Sequence, residues 1–348
     1  MKGYVTLEKT DFNFFIEQLA QIHKVVAPVK KGVKSFAFQE VTSGKEVSLI
    51  YIPTILSPKK YFMPQREDLV EYDKSANKWQ AVLEYEKLII FGVHTCDLAG
   101  IQCLNIVFSD KPKDVNYLAR KNKIAIIGLE CNDYCDEYAS CAVMDNHLPN
   151  GGYDLFFTDL GDYFMVHINT LLGEELVEKA KVFKEAQEKH LNDLNFLRTK
   201  KREIFKDEVR VKHKNLKKLF DLSFESKVWK DLDKRCVSCA NCTNVCPTCY
   251  CFDVVDEPNL DLNSGKRYRV WDSCQNEEFA KVAGGESFRE ERGDRQRHRY
   301  MRKFSYPVDR YSRYFCTGCG RCSRTCMAQI NLKETINSLV DEVKEKIK

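Results

Sequence analysis

Two cysteine runs constrain this chain more than any other feature. The first run is Cys236, Cys239, Cys242 and Cys246, and the second is Cys316, Cys319, Cys322 and Cys326. Each has the spacing C-x2-C-x2-C-x3-C, in which three thiolates bind one [4Fe-4S] cluster and the fourth cysteine binds the other cluster. The spacing predicts one ligand set of Cys236, Cys239, Cys242 and Cys326, and a second set of Cys316, Cys319, Cys322 and Cys246.

Other uses of these cysteines fit the spacing less well. Zinc sites use paired C-x2-C knuckles with four ligands per ion, so a third cysteine two residues further on is surplus in both runs. Disulfides are excluded within a run, because cysteines so close in sequence cannot all pair with good geometry. The chain also lacks a secretory signal that would direct it to an oxidising compartment.

Length and composition are typical of a globular protein with more than one domain. The 348 residues suggest about two domains. No stretch approaches the roughly 18 consecutive apolar residues of a membrane span. The first residues instead predict an amphipathic helix that carries Phe14, Phe15, Leu19 and Ile22. We therefore expect a cytoplasmic protein. Its 16 cysteines indicate metal binding under reducing conditions, in an anaerobic host.

Glycine and proline divide the chain into three parts. Neither residue occurs from Glu174 to Cys246, where apolar residues recur at helical intervals. We expect an α+β chain made of a mixed α/β domain over residues 1–172, a helical connector over 173–228, and an all-helical dicluster ferredoxin domain over 229–348. The insertion between the two cysteine runs is long, and we expect it to be helical at 267–275, 278–282 and 295–304.

Short apolar runs predict the strands of the first domain. They are 48–52, 88–93, 123–129, 153–158 and 163–168. The last two flank the turn Leu160-Gly161-Asp162 and predict a hairpin.

Four further cysteines predict a third cluster in the first domain. Cys96 follows one apolar strand, and Cys131 follows another, with Cys135 and Cys141 in the loop beyond it. Because the carboxyl ends of neighbouring strands face one crevice, Cys96 can meet the other three cysteines there. Four thiolates at this edge would hold a third [4Fe-4S] cluster. A zinc ion and simple burial of the thiols are the alternatives, while Cys103 lies on the apolar side of a predicted helix and is expected in the core.

Three cysteines near the clusters are not needed as ligands. Cys249, Cys251 and Cys274 are expected to pack toward the clusters, or to act as an alternative ligand or redox thiol. A basic run over residues 289–303 is expected to support the anionic clusters or to form a docking surface, because positive charge near the sulfurs stabilises the reduced form. A solvated helix face and a nucleic-acid surface are the weaker alternatives.

No motif indicates a substrate site. The chain lacks a glycine-rich dinucleotide fingerprint after a strand, a P-loop, and the separated C-x-x-C pairs of a nickel-iron centre. We therefore predict a non-catalytic subunit that passes electrons between a partner that handles hydride through flavin and a partner with a catalytic metal. A catalytic protein with an open iron site, and a structural metal or nucleic-acid module, are the other two classes.

The motifs resemble those of one known group of proteins. Residues 236–252, 269–275, 279–285 and 316–322, together with the basic run, are similar to the iron-sulfur (beta) subunit of sulfhydrogenase-type soluble nickel-iron hydrogenases. The iron-sulfur component of anaerobic sulfite reductase is similar at the same places. The resemblance is strong over 229–330 and looser over 88–168. It implies an electron-relay subunit of a cytoplasmic complex, next to a flavin-containing NAD(P)H reductase subunit, with hydrogenase or sulfite reductase subunits as the catalytic partners.

Overall fold

The protein combines two β-sheets with helices that surround them. The computed structural model describes residues 3–206 and 208–347, so the predicted domain ends at Met1 and Lys348 lie outside the described residues. The strands are β1 Tyr4–Glu8, β2 Lys24–Lys30, β3 Phe36–Glu40, β4 Arg66–Asp73, β5 Lys78–Ala81, β6 Leu88–Val93, β7 Ile124–Leu129, β8 Leu155–Asp159, β9 Tyr163–Ile168, β10 Lys184–Glu185, β11 Phe252–Pro258 and β12 Ser264–Trp271. The predicted α+β class is confirmed.

The helices include three short ones of four residues beside longer ones. They are α1 Phe12–Ile22, α2 Lys59–Phe62, α3 Thr95–Ser109, α4 Val115–Lys121, α5 Leu171–Ala180, α6 Glu188–Ile204, α7 Leu216–Leu222, α8 Lys227–Arg235, α9 Asn241–Asn244, α10 Arg292–Phe304, α11 Tyr306–Tyr311, α12 Arg321–Arg324 and α13 Leu332–Ile347. The predicted amphipathic helix at the start of the chain is α1, and the predicted connector is mostly helical, through α5, α6 and α7.

The larger sheet positions the first group of functional residues. Its strand order is β10-β1-β9-β8-β7-β6-β2-β3, with β2, β6, β7 and β8 parallel to one another. Every residue of β6 and β7 is buried, which is why both strands are continuous apolar runs without polar alternation. The chain leaves both strands at the same edge of the sheet. The predicted hairpin is also present, as β8 and β9.

The predicted strand at 48–52 is absent. Pro53 follows it and restricts the backbone, and the segment serves a packing role instead. The Tyr51 side chain enters the core, where its hydroxyl donates a hydrogen bond to the Gly92 carbonyl at 2.6 Å.

The insertion between the cysteine runs corrects the expectation of an all-helical ferredoxin domain. Residues 267–271, predicted as helix, belong to β12, which pairs with β11 on one side and β4 on the other. The smaller sheet, ordered β11-β12-β4-β5, thus joins two strands that precede the helical connector to two strands that follow it. Arg269 favours the strand over the predicted helix, because its buried guanidinium pairs with Glu67 of β4 and with Asp114. The helical prediction for 295–304 is confirmed by α10.

Candidate metal centres

The two cysteine runs fold in the same way. In the first run Ser238 and Ala240 have φ of 52° and 63°, and in the second Gly318 and Gly320 both have φ of 72°. These left-handed residues stand before and after the second cysteine of each run, and each run then continues into a four-residue helix, α9 or α12. The turns therefore curl the first three cysteines of each run around a common centre.

The fourth cysteine of each run lines the cavity formed by the first three cysteines of the other run. One small cavity is lined by Cys236, Cys239, Cys242 and Cys326. A second small cavity is lined by Cys316, Cys319, Cys322 and Cys246. The cross-over rule predicts these two groups as the ligand sets, and that assignment stays a prediction. Cys322 lines both cavities, so the two centres are direct neighbours.

The surroundings of the sulfurs fit anionic clusters. Cys236 Sγ accepts hydrogen bonds from Gln296 Nε2 at 3.1 Å and from the Ser238 amide at 3.4 Å, and Cys326 Sγ accepts one from the Ile330 amide at 3.3 Å. Such donors stabilise negative charge on ligand sulfur. Burial raises the pKa of Cys242 to about 12, so this thiol would stay protonated unless a metal bound it.

Arg299 lies between the two centres. Its side chain, only 5% exposed, lines both cysteine cavities, and no described residue accepts a hydrogen bond from its Nε. Burial opposes its charge, but Cys242 and Cys322 outweigh this effect and raise its pKa. The neighbouring Arg295 donates to Ser238 Oγ at 3.2 Å. The buried face of α10 thus brings positive charge to the cysteines, as expected for part of the basic run.

A third group of ligand atoms lies at the edge of the larger sheet. His94 follows β6, Cys131 follows the strand β7 and Glu130, and Cys135 is four residues further on. The ligand atoms of these three residues lie within 4.8 Å of one another. Cys96, in the first turn of α3, is buried nearby, and its thiol interacts electrostatically with Cys135. The structure thus brings Cys131 and Cys135 together, as the strand ends predict, whereas Cys96 is near this group but not among the atoms gathered around His94.

His94 was not predicted from the sequence. It is 3% exposed, its Nδ1 has no hydrogen-bond partner among the described residues, and the Tyr51 ring stacks on it at 3.9 Å. Its position directly after a buried strand, two residues before Cys96, is the signal that could have indicated it.

Cys141 lies on the side of this loop that faces the second cysteine run. A Cβ atom placed on Gly318 would lie 2.6 Å from the Cys141 Cα and 2.3 Å from the Ser140 carbonyl oxygen. The Ser140 amide also donates to the Gly318 carbonyl at 2.8 Å. The loop therefore packs directly on the second centre, and Cys141 is not among the atoms gathered around His94.

The third group opens toward a large cavity. This cavity, of about 880 Å³, is lined by His94, Cys131 and Cys135 and by exposed apolar residues that include Val33 and Ile50. Glu130 also lines this cavity, and its carboxylate pairs with Lys201 at 2.9 Å and with Arg198 at 3.1 Å. Burial opposes the Glu130 charge, but the two cations outweigh it and lower its pKa.

Comparisons with known proteins agree with these centres. A family model described as a 4Fe-4S dicluster domain matches residues 235–330, a range that contains both cysteine runs. The chain is 35% identical over 343 residues to sulfhydrogenase 2 subunit beta of Pyrococcus furiosus, a match that covers 98% of each chain. The chain belongs to the sulfhydrogenase beta-subunit family. The predicted resemblance is confirmed, and so is the prediction of an iron-sulfur protein with [4Fe-4S] clusters.

The remaining cysteines divide into two kinds. Cys103 is 1% exposed, and its sulfur lies 3.7 Å from the Tyr314 carbonyl oxygen, within the apolar packing of α3. Cys249, Cys251 and Cys274 instead line a cavity of their own, beside the second centre.

Among the helices of the described residues, none is long and apolar enough to cross a bilayer.

Proposed function

We propose that this chain is the electron-relay subunit of a cytoplasmic hydrogenase complex. The observation that supports it best is that Cys322 lines both dicluster cavities. A [4Fe-4S] cluster accepts and donates single electrons, so two neighbouring clusters form a short path for electron transfer. The chain needs no substrate pocket for this role.

Both ends of the path are accessible for docking. At the first centre Cys239 is exposed, and the neighbouring Val237 and Met327 are 56% and 73% exposed. At the other end, the Cys96 thiol interacts electrostatically with Cys319 of the second centre, and the third group opens to the large cavity. A donor and an acceptor can therefore use different faces of the chain.

The partners follow from what the chain lacks and from its relative. Hydride transfer requires a cofactor that divides two electrons into single ones, and the sequence has no fingerprint for such a cofactor. On one side we propose a flavin-containing NAD(P)H reductase subunit, which donates or accepts the electrons. The relative is a sulfhydrogenase subunit, which favours catalytic nickel-iron hydrogenase subunits over those of a sulfite reductase on the other side.

We also propose that the third group holds a further [4Fe-4S] cluster. Cys96, Cys131 and Cys135 would provide three thiolates, and His94 the fourth ligand, because a ring nitrogen of this buried residue lies within 4.8 Å of the Cys131 and Cys135 sulfurs. Cys141, predicted from the sequence, is the alternative fourth ligand, and the variants below separate the two.

The relay proposal is tested with the isolated subunit, purified anaerobically. Dithionite should bleach its visible absorbance, whereas NADPH should have no effect until a flavoprotein partner is added. Catalytic NADPH oxidation by the flavin-free chain would contradict the proposal.

The third cluster is tested by iron content. Three four-iron clusters require about 12 iron atoms per chain, whereas two require about eight. His94→Ala should lose about four iron atoms or change the electron paramagnetic resonance (EPR) spectrum of one cluster, while Cys141→Ala should leave both unchanged. Cys103→Ala is the matched control. A wild-type value near eight would remove the third cluster, and an effect of Cys141→Ala alone would assign the fourth ligand to that cysteine.

A further inference from the structure

Three cysteines outside both dicluster ligand sets meet at one cavity. Cys249, Cys251 and Cys274 line a space of about 330 Å³, which is large enough for several water molecules. Cys249 and Cys274 are 9% and 6% exposed, and Cys251 is partly exposed. Buried cysteines are common as small apolar residues, but these three share their cavity with the charged side chains of Arg289, Arg302 and Lys303.

Two of these thiols form a pair held by the β11–β12 hairpin. Phe252 pairs with Trp271, and the Asp272 amide donates to the Cys251 carbonyl at 3.0 Å. This register places Cys251 and Cys274 at the base of the hairpin, where both line the cavity and their side chains interact with each other. The third thiol, Cys249, contacts Cys246 instead.

The pair lies next to the iron-sulfur centres. Cys274 interacts electrostatically with Cys242 of the first centre. Arg299 lines the thiol cavity as well as both cluster cavities, and Lys303 lines the thiol cavity and the cavity of the second centre, so the three sites are neighbours.

Cations on the cavity wall favour thiolate chemistry. Arg299 and Lys303 are 5% and 6% exposed, and Arg289 and Arg302 also line the cavity. Lys303 Nζ donates to Thr248 Oγ1 at 2.6 Å, beside Cys249. Positive charge near a thiol stabilises the thiolate, which is the form that makes and breaks disulfide bonds.

We propose that Cys251 and Cys274 form a redox-active dithiol that stores two electrons beside the clusters. On oxidation the Cys251–Cys274 S–S bond forms, two protons leave to the water of the cavity, and two oxidised clusters accept one electron each. On reduction the bond breaks as two clusters return these electrons and the cavity returns the protons. The inference rests on the proposed relay function, and it adds a two-electron site to a path of single-electron carriers.

Thiol trapping in the cluster-loaded full chain tests the proposal. Samples are poised at a series of potentials with redox dyes, denatured in iodoacetamide, and analysed by peptide mass spectrometry. We expect a linked Cys251–Cys274 peptide in oxidised samples and two alkylated cysteines in reduced ones. The ratio of the two forms should change tenfold for about every 30 mV, the slope of a two-electron couple.

Matched variants separate this proposal from its alternatives. Cys251→Ser and Cys274→Ser should each abolish the linked peptide while iron content and dithionite bleaching stay at wild-type values, and Cys103→Ser should leave the linked peptide in place. Full alkylation of both cysteines at every potential, with the clusters intact, would overturn the proposal. Loss of a bound metal atom in Cys274→Ser would overturn it too, because the thiols would then be ligands. Failure of dithionite to bleach the wild-type chain would instead reject the relay function.

Discussion

Arg321 and Asp97 form a bidentate ion pair in the interior of the protein. The two nitrogen-oxygen distances are 2.6 and 2.7 Å, and neither side chain is exposed. Arg321 also donates from Nε to the Thr54 carbonyl at 2.6 Å. Arg321 lies between Cys319 and Cys322 of the second run, whereas Asp97 is next to Cys96 in α3. The pair therefore joins the dicluster region to the third group of ligands.

We expect Asp97→Asn to destabilise the protein by about 3–5 kcal/mol, because it leaves the Arg321 charge buried without its partner. Anaerobic denaturation, followed by the loss of visible absorbance, measures the change. Asp110→Asn, which breaks the exposed pair between Arg310 and Asp110, is the matched control and should have no detectable effect. Equal stability of the two variants would show that the buried pair does not hold the two regions together.

The crossing of ligands predicts which centre each fourth cysteine serves. Cys246→Ala should impair the cluster held by Cys316, Cys319 and Cys322, and Cys326→Ala the cluster held by the first run. EPR spectra of the reduced variants, compared with the wild type, measure which cluster signal is lost. If both variants lost the same signal, or if each lost the signal of its own run, the crossed assignment would be wrong.

Arg299 should raise the reduction potentials of both dicluster centres. Arg299→Gln removes a buried positive charge between them, so we expect lower potentials, by on the order of 60 mV if about 1.4 kcal/mol of attraction is lost for one electron. Dye-mediated titration monitored by EPR measures the shift. Arg297→Gln is the control, since Arg297 lies on the same helix, pairs with Asp294 at 2.9 Å and lines neither cluster cavity. Equal shifts in both variants would indicate a general charge effect.

His298 should make stability depend on pH. Burial and the neighbouring Arg289 and Arg302 lower its pKa from 6.5 to about 4. Between pH 6.5 and pH 4 the unfolded chain therefore binds a proton at His298 and the folded chain does not. The free energy of unfolding is not reduced by this effect above pH 6.5, and it decreases as the pH falls toward 4. Between about pH 7 and pH 5 we expect a loss of about 1–2 kcal/mol, after allowance for solvent near the ring. His298→Gln should lose less over this range in anaerobic denaturation, and an identical loss would contradict the lowered pKa.

The sequence by itself determined that this is a dicluster iron-sulfur protein. The predicted ligands lie at short intervals along two segments, so local turns are enough to bring the first three cysteines of each run together, and the spacing alone indicates this. It also indicated α1, α10 and the strands β6–β9, because their apolar residues follow the period of the element or fill a buried strand. The family resemblance rested on these same short motifs.

Only the tertiary structure decided how distant segments meet. The insertion became β12 rather than a helix because β4, far earlier in the chain, offers it a strand partner and a carboxylate for Arg269. His94 joined Cys131 and Cys135 because β6 and β7 are parallel neighbours and end at one edge of the sheet. Tertiary packing likewise brings Arg321 to Asp97, and Cys251 to the same cavity as Cys274. Local periodicity carries no information about such contacts, because they depend on which elements pack together after the chain has folded.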